Sequence, residues 1–220
     1  MTSIEQLTRL CPPPADAPPV DWDAVETTLG FRLPEDYKQL AAVYGPGAFA
    51  DFIRVFHPHG VTEWVDLTGR VPTAMWEQLQ NDQAAGRPVP YDPQCLFVVG
   101  VTDNGEHLFW ITGPRNDPGA WHIAVNEARG PLWCTFNGTL TDFLVSVLSG
   151  DTAVPQFPDG LRQAATTFFP STSRPSAPTA LPTDTNVIRE WARANGYDLP
   201  SRKRVPAAII VALVQAHGGE

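Results

Sequence analysis

The sequence contains few of the residues that build disulfides and thiolate metal sites. Its 220 residues include only three cysteines, Cys11, Cys95 and Cys134, which are widely separated and show no Cys-x-x-Cys spacing. This odd and scattered set argues against a disulfide framework and against a thiolate zinc site. Because Cys95 and Cys134 stand beside apolar, strand-like residues, we expect them to be structural.

Motifs of catalytic chemistry are also missing. The chain has no Gly-x-Ser-x-Gly elbow, no phosphate loop and no dinucleotide-binding glycine pattern. His57-Pro58-His59 has no accompanying cluster of Cys or His, which favours a structural loop over a metal site. Glu26, Glu35 and Asp36 fit helix-surface and first-turn positions better than an acid–base pair. The sequence therefore predicts a non-enzymatic protein that needs no cofactor.

Long apolar runs are absent as well. The longest, residues 207–214, has eight residues, whereas a helix that crosses a bilayer needs about 20. Residues 1–10 do not show the basic stretch and apolar block of a secretory signal. We therefore expect no membrane partner and a cytoplasmic location.

Positive charge is scarce and unevenly distributed. The chain has 15 basic and 24 acidic residues, a net charge of −9. Residues 183–220 carry five basic and four acidic residues, whereas the other 182 residues carry ten and twenty, a net charge of −10. Arg202-Lys203-Arg204 concentrates the positive charge in one short loop. This asymmetry predicts that the terminal segment contacts an anionic partner which the rest of the chain would repel.

The front part of the chain alternates between helical and strand patterns. Amphipathic spacing, a capping Asp21 and stop signals such as Gly30 predict helices over residues 21–29, 33–44, 73–83 and 139–148. Met75, Trp76 and Leu79 are expected to be the apolar contacts of the third helix. Residues rich in β-formers predict strands over residues 52–56, 96–101, 107–111, 121–125 and 132–136. Helices around an antiparallel meander predict an α+β domain.

Three segments of this domain carry a family resemblance. In order, LGFRLPEDYKQLAAVYGPGAF, VTDNGEHLFW and LTDFLVSVL, within residues 20–150, resemble the SUKH superfamily of the Smi–Knr type. The resemblance implies a non-catalytic module that binds another protein. Many bacterial members resemble immunity proteins, so a toxin is one candidate partner. Trp64 and Trp76, with nearby Glu63 and Asp66, are candidates for contact with that partner.

The composition changes after this domain. Six prolines occur between Pro155 and Pro182, and residues 171–179 are mostly Ser, Thr and Pro. Such a segment cannot bury enough surface to offset the entropy cost of ordering it. We expect an extended linker over residues 154–182, in which residues 161–169 can dock on the main domain. The predicted organisation is a SUKH-like domain over 1–153, this linker, and a terminal domain over 183–220.

The terminal segment predicts a small all-α hairpin. Residues 186–195 and 206–217 have helical spacing, and Trp191 is placed to pack between the two helices. The string VIREWARANGYDLPSRKRVPAAIIVALVQAH resembles the DNA-binding domain of the actinobacterial Lsr-type nucleoid protein. That family inserts an Arg-Gly-Arg loop into the minor groove of AT-rich DNA. The resemblance therefore implies DNA binding and a location on the nucleoid.

The resemblance also implies a role for each basic residue that matches a position of the family's DNA-binding domain. Arg202 and Arg204 would be the inserted side chains, and Arg189 and Arg193, four residues apart, could contact phosphates. Lys203 stands where the family has glycine, so its side chain hinders close approach to the groove floor but could reach a phosphate. With about four phosphate contacts one copy binds weakly, which makes a homo-oligomer or a multivalent partner useful.

Two alternatives remain open. The protein could be an immunity factor whose acidic body masks the basic surface of a nuclease toxin, with the terminal segment incidental. Alternatively, the terminal hairpin could bind another nucleoid protein rather than DNA.

Overall fold

The computed structural model describes residues 1–128, 130–158, 161 and 167–171. Within these residues the chain forms five α-helices: α1 (Ser3–Leu10), α2 (Trp22–Leu29), α3 (Glu35–Tyr44), α4 (Arg70–Ala84) and α5 (Leu140–Ser149). They accompany seven strands: β1 (Gly47–Phe49), β2 (Ile53–Val55), β3 (Leu96–Thr102), β4 (His107–Ile111), β5 (His122–Asn126), β6 (Trp133–Phe136) and β7 (Phe168–Pro170).

The strands form one antiparallel sheet in the order β6-β5-β4-β3-β2-β1-β7. This architecture confirms the predicted α+β domain with helices beside an antiparallel meander. The predicted all-α hairpin lies outside the described residues and stays a prediction.

Helix boundaries follow the capping chemistry that the sequence contains. The Asp21 side chain accepts a hydrogen bond from the backbone N–H of Ala24 (3.1 Å), and Gly30 ends α2 in a left-handed conformation (φ 76°). At α5, Thr139 and Asp142 form a capping box in which each side chain accepts from the other's backbone N–H. The predicted helix starts at these two sites are confirmed.

The core is centred on Trp110 of β4, whose side chain is 1% exposed. Its ring contacts Tyr37 of α3 edge to face (centroids 5.1 Å apart) and stacks on Phe97 of β3 (6.0 Å). The Tyr37 hydroxyl donates to the Phe56 carbonyl (2.8 Å), so this buried polar group is satisfied. On the same face of the sheet, Phe136 of β6 packs against Phe143 of α5 (5.6 Å).

Two side-chain predictions differ from the structure. On α4, Met75 and Leu79 are buried as expected, but Trp76 is 39% exposed, so its assignment as an interior contact was wrong. Helical spacing places Trp76 next to the buried stripe of α4. The neighbouring segments do not cover its side chain, which instead lines a groove. Cys95 and Cys134 are free and only half-buried, whereas Cys11 is fully buried and burial raises the pKa of its thiol to about 11.

The segment expected to be a linker supplies an edge strand. β7 pairs antiparallel with β1, and Phe168 packs against Tyr44 and Phe49, with each pair of ring centroids 4.9 Å apart. A side chain on Gly47 would place its Cβ 2.6 Å from the Phe169 carbonyl oxygen, so β1 needs glycine there. Val154, Phe157 and Leu161 are also buried. The boundary of the terminal domain stays a prediction.

Candidate functional site

The residues predicted to bind DNA belong to the terminal segment of the chain. They lie outside the described residues, and their grouping stays a prediction: Arg189, Arg193, Arg202, Lys203 and Arg204. The structure does describe the surface features of the front domain.

One such feature is a groove of about 750 Å³ beside the aromatic core. Three parts of the chain form its walls: the turn between α2 and α3, the first turns of α4, and the loop that follows β4. Its volume lies in the range of about 300–1,000 Å³ that is usual for ligand sites. We call it the aromatic groove.

The floor of the aromatic groove is a set of mutually packed rings. Phe31 meets Phe97 edge to face (centroids 5.1 Å apart, planes at 79°) and meets Trp121 in the same way (5.9 Å, 61°). Trp121 is 3% exposed, and its indole N–H donates to the Pro114 carbonyl (2.9 Å). Because each ring is held by its neighbours, the floor is formed before any ligand arrives.

The rim of the aromatic groove is positively charged. Arg32 and Arg115 are both exposed and both line it, and its lining contains neither Asp nor Glu. The Arg115 guanidinium donates to the Gln94 carbonyl (2.7 Å). Within the described residues, neither arginine takes part in an ion pair. This positive rim contrasts with the net charge of −10 over residues 1–182.

Sequence reasoning missed this site for a physical reason. Phe31 and Arg32 follow the stop signal of α2, whereas Arg115 and Trp121 come about 80 residues later in a loop without periodic spacing. The pairing of β3 with β4 and of β4 with β5, together with the packing of Phe31 on Phe97 and Trp121, brings these segments together. Of the two tryptophans predicted to contact a partner, Trp76 lines the aromatic groove, whereas Trp64 is 64% exposed and does not line it.

His57 and His59 form part of a loop that is tied to its surroundings. His57 is 2% exposed, and its Nδ1 accepts from the backbone N–H of His59 (3.0 Å). The His59 Nε2 lies 3.0 Å from the Pro19 carbonyl oxygen. Burial, with a smaller contribution from His59, lowers the pKa of His57 to about 4.

The depressed pKa of His57 predicts a loss of stability in mild acid. Below pH 6.5 the unfolded chain binds a proton at this position that the native chain excludes until about pH 4, so stability falls as pH falls through this window. From pH 7 to pH 5 the loss from His57 amounts to about 2 kcal/mol. Urea unfolding at the two pH values should show a smaller drop for His57→Gln than for the unaltered chain.

The exposed His122 provides the control for that measurement. His122→Gln should lose as much stability between the two pH values as the unaltered chain. An equal loss in His57→Gln would contradict the role assigned to His57.

Neither a metal cluster nor a membrane span occurs in the part of the chain that the structure describes. No group of three or more His, Cys, Asp or Glu side chains there could hold a metal ion. None of the helices there has the length and apolar character needed to cross a bilayer.

Comparison with known families agrees with the fold and extends beyond the described residues. The model of the SMI1 / KNR4 family (SUKH-1) matches residues 16–143, which include α2 to α4 and β1 to β6. The chain belongs to the SMI1 / KNR4 family. The resemblance of the front domain to SUKH proteins is thereby confirmed.

A second family model matches the other end of this SMI1 / KNR4 member. The Lsr2 DNA-binding domain matches residues 180–216, which confirms the Lsr-type resemblance and supports DNA binding. Both families are in general non-catalytic, and SUKH domains typically interact with proteins. No curated protein and no solved structure matches the chain.

Proposed function

We propose that this protein binds DNA through residues 183–220 and binds a protein partner through its SUKH-like front domain, without catalysing a reaction. The observation that carries the proposal is the Lsr2 DNA-binding domain match over residues 180–216, because all five predicted DNA contacts fall within it. Binding to DNA would hold the protein and its partner at the nucleoid.

Arg202 and Arg204 are the proposed minor-groove contacts. A narrow AT-rich minor groove concentrates negative potential and attracts arginine side chains. Arg189 and Arg193 would contact phosphates and fix the orientation of the hairpin without reading sequence. AT-rich duplexes are therefore the proposed targets.

The uneven distribution of charge supports DNA binding by the terminal segment and protein binding by the front domain. Residues 1–182 carry a net charge of −10, which opposes direct contact between the front domain and DNA. With about four phosphate contacts, the slope of log affinity against log salt is about −3.6. Self-association of the chain would raise the affinity by engaging several copies at once.

Fluorescence anisotropy with the full chain tests the proposed function. Two labelled duplexes of equal length, one AT-rich and one GC-rich, are titrated at salt concentrations from about 50 to about 200 mM. We expect tighter binding to the AT-rich duplex. If neither duplex binds, DNA binding fails and toxin neutralisation by the front domain becomes the better interpretation.

Lys203→Gly should sharpen the preference for AT-rich DNA. Glycine removes the side chain that hinders close approach to the groove floor, and it also removes one positive charge available to a phosphate. We expect the ratio of AT-rich to GC-rich affinity to rise and the salt slope to shrink by about 1. Lys203→Arg, which keeps the charge, should leave the slope unchanged. A lower AT preference in Lys203→Gly would contradict this role.

A further inference from the structure

We propose that the aromatic groove binds a short acidic segment of the partner protein, in which a carboxylate lies next to a large apolar side chain. The inference rests on the proposed function, since it assigns a surface and a ligand chemistry to the protein binding of the front domain. Its occupant is a peptide segment that enters with its apolar side chain on the ring floor and its carboxylate at the arginine rim.

The charges of the aromatic groove define the polar half of this ligand. Arg32 and Arg115 bring two guanidinium groups to the rim, and the lining contains no carboxylate, although Glu26 interacts electrostatically with Arg32 from outside it. A guanidinium binds a carboxylate through two parallel hydrogen bonds, which fixes orientation as well as position. A basic segment would be repelled at this rim, although the net charge of the protein attracts it elsewhere.

The rings of the aromatic groove define the apolar half. The rings of Phe31, Phe97 and Trp121 are already packed against one another, so an apolar side chain can be buried on them at little ordering cost to the protein. Trp76 stands at the wall with 39% of its surface exposed. Its indole makes no hydrogen bond within the described residues, so the N–H is available to a ligand carbonyl. Tryptophan and arginine are the residue types that most often dominate binding energy at interfaces.

Rings and arginines also suit single-stranded nucleic acid, but the surrounding charge favours a peptide. A nucleic acid brings one phosphate per nucleotide, and affinity for it grows with the number of phosphates neutralised. Two arginines on a domain of net negative charge neutralise few of them. A peptide segment needs to bring only one or two carboxylates, which the rim can match.

The test uses the full chain with ¹⁵N-labelled tryptophan and four short probes. The probes are the end-blocked peptides Asp-Leu-Phe-Asp, Asn-Leu-Phe-Asn and Lys-Leu-Phe-Lys, and a thymidine tetranucleotide. The indole N–H resonance of Trp76, assigned by its loss in Trp76→Phe, reports binding at the aromatic groove itself. We expect the acidic peptide to shift this resonance and to bind about tenfold more tightly than the neutral peptide.

Two double variants with the same change of charge locate the effect. Arg32→Ala with Arg115→Ala should weaken binding of the acidic peptide by about tenfold or more. Arg70→Ala with Arg87→Ala should change it by less than about twofold. These control arginines are exposed and pair with carboxylates outside the aromatic groove, Arg70 with Glu63 (3.4 Å) and Arg87 with Asp82 (2.7 Å).

Several results would overturn the inference. They are an unshifted Trp76 resonance, equal binding of the neutral or basic peptide, or a larger shift with the tetranucleotide than with the acidic peptide.

Crosslinked capture with the full chain as bait separates failure of the groove assignment from failure of the proposed function. If the unaltered chain and Arg32→Ala with Arg115→Ala retain the same partner equally well, the groove assignment fails while protein binding stands. If the unaltered chain retains none, protein binding itself fails.

Discussion

Replacing Arg202 and Arg204 together with alanine is expected to weaken binding to an AT-rich duplex by about 100-fold at moderate salt. Each guanidinium contributes about 1.4 kcal/mol or more where it lies in a narrow groove of negative potential, and the two losses add to about 3 kcal/mol. Anisotropy titration of the full chain measures the loss directly.

The control variant must lose the same amount of positive charge from a different part of the chain. Arg70→Ala with Arg87→Ala also removes two arginines, but from the exposed surface of the front domain. We expect this variant to bind DNA within about twofold of the unaltered chain. An equal loss in both double variants would mean that overall charge, and not the terminal loop, determines binding.

Phe168→Ala is expected to destabilise the front domain by about 3–4 kcal/mol. Its side chain is 7% exposed and contacts Tyr44 and Phe49, so removal leaves a cavity between β1 and α3. Such a loss is large beside the about 5–15 kcal/mol that stabilises a typical domain. Urea unfolding followed by tryptophan fluorescence measures the change in the free energy of unfolding.

Phe169 is the matched control, because it is the next residue on the same strand and its side chain is 46% exposed. Phe169→Ala should cost less than about 1 kcal/mol. If the two variants are equally stable, β7 does not belong to the folded core, and the domain ends earlier than the structure indicates.

Local capping chemistry made most of the helices predictable. Asp21, Gly30, Thr139 and the acidic first turn of α3 act within a few residues of their own positions, so one stretch of sequence contains the whole signal. α1 carries a similar signal, since Thr2 and Glu5 form a capping box that pattern reading overlooked. The β3–β4 hairpin was predictable because its turn residues lie between its two strands.

Features that depend on distant partners were not predictable in this way. β1 and β7 have three residues each, too few to show a period of two, and their pairing joins positions about 120 residues apart. From its composition, the segment that contains β7 was predicted to be a proline-rich linker. In the structure, Phe168 packs against Tyr44 and Phe49.

The two candidate sites also differ in whether they depend on local sequence or on contacts between distant segments. The basic triplet and its family resemblance are local features of the sequence, and the Lsr2 DNA-binding domain match over residues 180–216 supports DNA binding by the chain. The aromatic groove depends on sheet pairing, and its positive rim runs against the net charge of its own domain. Net charge describes the average surface and gives no information about such an exception.

The salt dependence of binding to one AT-rich duplex tests the central claim most directly. For the full chain we predict a slope of log affinity against log salt of about −3.6. It should fall to about −1.8 in Arg202→Ala with Arg204→Ala, because an arginine in the minor groove also displaces counterions from the phosphates beside it and two of about four such cations are lost. An unchanged slope and affinity in that double variant would contradict the assignment of DNA binding to this loop.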